Sequence, residues 1–291
     1  MSDFAARVYR IAFAAAAAYN IAFGLWAALF PHAFFDVFTL APPRYPVIWA
    51  CLGMVVGLYG AGYAYAAWRL DRAFPFIAIG LAGKVLGPIG WVIAVRSGEL
   101  PFRTLPLIVF DDLLWWLPFG LFLLEGTAVA TFFKRTAPLW CAAAHVIAAI
   151  ATLVILKTDA MWILWMIAAV SLIGFYAWWG ARIGNIAAVA IAASGIVCDL
   201  TGESMFIAFP NHERMASLLT GGAANGLYTL AGILMTLATP TLPLRWLAWI
   251  AWTSGIALVL VTISSVQIGV VIASAALMIS FIPFVIAMAR Q

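Results

Sequence analysis

Apolar residues run along this chain in blocks near twenty long, most of them ending at a charge or a proline. About twenty helical residues at 1.5 Å each cross a hydrocarbon core of about 30 Å. The blocks predict ten spans, over 8–30, 47–69, 74–95, 104–124, 138–156, 160–180, 184–209, 215–238, 243–264 and 266–288. The breaks at Lys157–Asp159 and Ser264–Gln267 are short, and a re-entrant element at either would reduce the count to eight. A lipid-facing barrel needs alternating segments of about 10 residues, a pattern not seen here. The expected fold class is therefore all-α, a polytopic helical membrane protein. The loop Pro31–Pro46 carries His32, Phe34, Phe35, Asp36, Phe38 and Tyr45, a mixture suited to lying along a membrane surface.

Composition supports that reading. Of 291 residues, 66% are hydrophobic and 9% charged, against about 25% charged in soluble domains. A water-soluble globular chain is excluded on those figures. Formal net charge is +4, but the basic residues stand singly or in pairs at block ends, as orientation by positive-inside segments requires. With the N-terminus inside, inner segments hold Arg7, Arg10, Arg69, Arg72, Lys134, Arg135, Arg182, Arg245 and Arg290. The outer ones hold Arg44, Arg96, Arg103, Lys157 and Arg214, so both termini are expected to be cytoplasmic, in a bacterial inner membrane. The first apolar run reaches Phe30, too long for a signal-peptide core, and reads as an uncleaved span. No basic cluster suits nucleic acid. Cys51, Cys141 and Cys198 form no CxxC pair, and nothing in the chain calls for a cofactor or a metal.

Short matches recur in chain order. Phe30-Pro31 is echoed by Phe209-Pro210, Gly57-Leu58-Tyr59 by Gly226-Leu227-Tyr228, Pro75 by Pro243, and Pro118-Phe119 by Pro283-Phe284. Their order suggests two four-helix units, 1–126 and 184–291, with a linking helix pair in 127–183, arranged as parallel repeats. In the first unit, "YNIAFGLWAALFPHAFF", "LGMVVGLYGAGYAYAA", "GLAGKVLGPIG" and "GELPFR…DDLLWWLPF" resemble the DoxX-like four-helix membrane proteins. That resemblance covers about the first 125 residues and implies architecture. Some members of the family are linked to quinone-coupled thiol or thiosulfate oxidation. The missing cysteine pair does not favour a thiol role.

Charged residues inside spans cost about 2.5–3.5 kcal/mol to insert, so those present are candidates for function. They are Lys84, Asp111, Asp112, Asp199 and Glu203, with polar companions Asn20, His145, Asn225 and Gln267. Counted from the outer span ends, Asn20, Lys84, His145, Asp199 and Asn225 fall roughly 15–17 Å deep at the helical rise. Asp199 and Glu203, four residues apart, share a helix face. Two buried carboxyls that close do not both ionise freely, which is what a general acid or proton carrier requires. The plainer use of Asp199 is a packing hydrogen bond to Asn225. Lys84 lies between Gly83 and Gly87, with a salt bridge to Asp111 or Asp112 as its plain use. Asp111 and Asp112 each precede a tryptophan, Trp115 and Trp116, by one turn, and only one acid can face a given pocket. His145 is a lone histidine without metal or haem spacing.

These residues define the expected site. Asp199, Glu203, Asp112 and Lys84 are its acid–base candidates. Asn20, Asn225, Tyr228, Asp111, Trp115, Trp116 and His145 are its ligand-binding candidates. The expected partner is a hydrophobic small molecule or lipid, such as an isoprenoid or quinone, bound or converted by isomerisation or cyclisation. The alternatives are a proton-coupled transporter with its site between two repeats, and a structural subunit of a membrane complex. The sequence leaves oligomeric state open.

Overall fold

The computed structural model describes residues 1–155 and 158–290. Lys157, counted above among the outer charges, lies outside the described residues, as does Leu156, from which the depth of His145 was counted. The described residues are helical without a strand, and ten helices are long and apolar enough to cross a membrane. They are α1 (Asp3–Leu29), α2 (Pro46–Trp68), α3 (Phe74–Arg96), α4 (Phe102–Leu123) and α5 (Ala128–Val154). After them come α6 (Asp159–Ile183), α7 (Ile186–Ala208), α8 (Pro210–Ala238), α9 (Arg245–Ile263) and α10 (Gln267–Ala289). The chain is an all-α polytopic membrane architecture.

Helix ends follow local chemistry. Ser2, Thr158 and Asn185 cap α1, α6 and α7 by accepting main-chain N–H groups with their side chains. Pro46 opens α2, and Gly184 closes α6 with φ +70°. Phe30-Pro31 and Phe209-Pro210 end α1 and α7, since proline has no N–H with which to continue the helix. α5 begins ten residues before the expected start at 138. Pro138 sits inside the helix, where the missing proline N–H costs one hydrogen bond without ending the element.

The chain divides into two compact units, Met1–Thr127 and Ala128–Gln291. In the first, α1 lies tightly along α2, α2 meets α3, α3 meets α4, and α4 returns to α1. Glycine makes the α1–α2 approach possible. A Cβ on Gly24 would stand 2.5 Å from the Gly53 carbonyl oxygen, and one on Gly60 would stand 2.8 Å from Ile21 Cγ1. The core is aromatic: Tyr9, Phe13, Tyr63, Trp115 and Phe119 are buried together, with Phe13 and Tyr63 edge-on to Phe119. Of the expected surface loop, Ala33–Val37 forms a short helix whose Phe34 is buried and stacked 4.9 Å from Trp49.

The second unit contains α5 and α6, the pair expected as a link, together with α7–α10. These six helices pack in a closed ring, each on the next and α10 on α5. Phe175 and Trp179 of α6 meet Phe281 and Phe284 of α10 inside it. Indole N–H groups bind threonine hydroxyls across elements here: Trp165 to Thr152, Trp179 to Thr239, and Trp252 to Thr236. Such bonds join helices in a medium that offers no water.

Candidate functional site

Each unit holds its own polar cluster. In the first, Gly80, Lys84 and Gly87 form one face of α3, at positions i, i+4 and i+7. A Cβ on Gly80 would lie 2.5 Å from the Tyr63 hydroxyl, and one on Gly87 would overlap the Asp112 carboxylate. Between them Lys84 is buried, 5% exposed, and donates to the Asp111 main-chain oxygen, with its Nζ 5.7 Å from the Tyr63 ring centre. The expected salt bridge is not formed. The ion pairs that Arg69 and Arg72 make with Asp71 lie elsewhere, between α2 and α3.

Two backbone irregularities create these partners. Val109–Leu113 in α4 is a π-helical turn, and Leu114 N–H reaches back five residues to Val109. In that turn the Phe110 carbonyl takes the Trp115 indole at 2.8 Å, while Asp111 offers its carbonyl to Lys84. On α3, Pro88 has no N–H to give the Lys84 carbonyl. The Trp116 indole occupies that carbonyl instead, at 2.9 Å. Both tryptophans thus hold main-chain oxygens. Asp112 is buried against Gly87, while Asp111 Oδ1 and Asn20 Nδ2 are buried without a hydrogen-bond partner.

In the second unit the same construction appears on α7 with the charge reversed. Gly195, Asp199 and Gly202 repeat the spacing of Gly80, Lys84 and Gly87. A Cβ on Gly195 would lie 2.7 Å from the Tyr228 ring, and one on Gly202 would lie 2.5 Å from Thr220 Cγ2. Thr220 belongs to a second π-helical segment, Leu218–Ala224 in α8. Tyr228 Oη donates to Asp199 Oδ2 at 3.1 Å, and Tyr176 Oη of α6 donates to the Tyr228 carbonyl at 2.7 Å. Glu203, one turn on from Asp199, is buried at 6% exposure, and its Oε2 has no hydrogen-bond partner. Asp199 itself is partly exposed. Trp162 of α6 stacks on Phe206 of α7 at 4.0 Å, one turn beyond Glu203.

The other expected residues are placed apart from this pair. Asn225 does not bind Asp199; its Nδ2 donates to the Thr220 carbonyl at 2.8 Å, which also takes the Asn225 main-chain N–H. The side chain reinforces the π-helical turn. His145 on α5 places Nδ1 2.8 Å from the Cys141 carbonyl, with its ring beside Trp165 and Phe281. Among the described residues no three His, Cys, Asp or Glu side chains converge as a metal shell.

Sequence reading missed Tyr63 and Tyr176, and also the glycine-flanked charge common to α3 and α7. That signal was present, as Gly-x3-Lys-x2-Gly and Gly-x3-Asp-x2-Gly. The glycines open room beside the helix, and the tyrosine and the π-helical segment fill it.

The two clusters and their helices define a multi-pass membrane protein with buried acidic and basic groups. Compared with protein-family models, curated proteins and solved structures, the chain matches none.

Proposed function

We propose that the protein binds a hydrophobic small molecule and exchanges protons with it at Asp199 and Glu203. The supporting observation is the Glu203 carboxyl, buried one turn from a second acid with one oxygen unpartnered. Neither acid has a cation within ion-pair distance among the described residues. Two bare negative charges there would cost several kcal/mol each, so the pair keeps one proton, held at Glu203, the more buried acid. A carboxyl that holds a proton away from water is equipped to deliver it to a bound substrate. Asp199, fixed by the Tyr228 hydroxyl, serves as the oriented anion beside it. Acid-catalysed isomerisation or cyclisation of an isoprenoid-like alkene, with an anion steadying the developing cation, is the conversion this arrangement suits.

A second reading, a proton-coupled transporter, is favoured by the π-helical Leu218–Ala224 segment facing α7, because broken helices beside a buried acid recur at transport sites. Infrared spectroscopy of the purified protein tests the shared core of both readings. A protonated-carboxyl band at neutral pH is expected, and it should weaken in Asp199→Asn and in Glu203→Gln. Solvent extracts should contain a hydrophobic compound that is depleted in the same variants. An unchanged band together with unchanged extract would reject the site.

A further inference from the structure

We propose that the ligand of the Asp199–Glu203 site is a lipophilic cation, a hydrophobic amine or its quaternary analogue, which binds by displacing a proton. This rests on the proton-holding acid pair argued above and names what competes for it.

An acid pair without an internal cation has two ways to limit its negative charge. It keeps a proton, or it receives positive charge from outside. The groups around the pair do not supply that charge. On α7 itself Cys198 flanks Asp199. From α8, Tyr228 donates to Asp199. From α6, Tyr176 reaches only the Tyr228 carbonyl, and Arg182 lies over the Trp178 ring at 3.6 Å. In the turn packed on the end of α7, Arg214 is committed to the Thr262 and Ile263 carbonyls, both at 2.6 Å. His212 stands edge-on to Phe209, and Glu213 adds a further acid to that turn.

The surroundings distinguish an organic cation from a metal ion. Hard metal ions require about six oxygen ligands, whereas two carboxyls and a phenol suffice for an ammonium. Tyr228, whose hydroxyl reaches Asp199, brings an aromatic ring to the site, and aromatic rings attract cations. Glu203 Oε2 is a buried acceptor without a donor, and an ammonium N–H would satisfy it. Asp199 is the partly exposed member of the pair, so the incoming charge meets Asp199 first and Glu203 behind it. The exchange balances: one cation enters as the carboxyl O–H bond releases its proton to solvent.

Calorimetry on the detergent-purified full chain tests this, with tetraphenylphosphonium and dodecylamine as probes and dodecanol as the neutral control. Titration in two buffers of different ionisation enthalpy counts the protons released. Both cations are expected to bind with release of about one proton each, more tightly as pH rises because competing protons leave. Dodecanol should not displace protons. Glu203→Gln should abolish the release and weaken binding at least about tenfold. Glu203→Asp should retain release, which separates loss of charge from misfolding. Lys84→Met, in the other unit, should leave binding unchanged. Binding without proton release, or binding by Asp199→Asn and Glu203→Gln as tight as that of wild type, would overturn the proposal. A persistent protonated-carboxyl band with no cation binding would reject the cation while leaving the proton-exchange reading standing. Loss of that band would reject both.

Discussion

Tyr228 shows how one side chain can serve both packing and chemistry. Its ring fills the space opened by Gly195, and its hydroxyl orients Asp199. Tyr228→Phe keeps the ring and removes the donor, so the Asp199 carboxylate loses a hydrogen bond at a cost of about 0.5–1.5 kcal/mol. The expected outcome is a lower melting temperature with retained helical content, read by circular dichroism. Gly195→Ala attacks the same pair from the other side. Its Cβ would overlap the tyrosine ring, and the expected result is a comparable loss of thermal stability. Which residues were candidates was legible in the sequence, because each charge inside a span stood out against apolar neighbours. Who touches whom was not. Asn225 and Asp199 lay at similar counted depths, yet the asparagine turns to Thr220, since a π-helical turn, invisible in the residue pattern, makes that carbonyl available to it.

At the scale of the helix, irregular turns and terminal arginines do the positioning. Arg10 donates to the Ala67 and Trp68 carbonyls that end α2, and Arg214 does the same for α9. Cations at helix C-termini satisfy orphan oxygens and meet the negative end of the dipole. Arg214→Ala should therefore destabilise by about 1.5–3 kcal/mol on the scale of charged hydrogen bonds. A thermal melt should place Arg214→Lys between wild type and alanine. Deleting Ala223 offers a test of the π-helical segment. One residue fewer returns Leu218–Ala224 toward α geometry and rotates one side of the helix by about 100° relative to the other. The Tyr228–Asp199 hydrogen bond should be lost, with a shift of the carboxyl infrared band as its signature. Between α2 and α3, the Arg69 guanidinium beside Asp71 holds that carboxyl below its usual range. Its small contribution is present at neutral pH and disappears as pH falls through the folded-state value. Spans were readable at this scale because apolar length is what a bilayer selects. The start of α5 was not, since Lys134, Arg135 and Pro138 look like a boundary while the helix runs through them from Ala128.

At the scale of the whole molecule, the ten helices long and apolar enough to cross a membrane among the described residues predict an even number of crossings between Ser2 and Arg290. The distribution of basic residues predicts that both termini face the cytoplasm. Cysteine labelling at Ser2 and Arg290 with a membrane-impermeant reagent should mark both sites only in inverted vesicles. Labelling of one terminus alone would mean an odd number of crossings. The residue pattern carries no mark of α5 and α6 packing with the later helices, because ring closure between α5 and α10 depends on side-chain packing.

That closure has a consequence for chain order. In the second unit the first and last helices are neighbours like any other pair, so no helix occupies a privileged end. Alternating up and down around an even ring brings Ala128 and Arg290 to the same rim. A short link between them, with a cut at any inter-helix turn, would preserve every packed seam. In this sense the unit is a cycle that happens to be written as a line, and its helices can be read in rotated order without changing what they build.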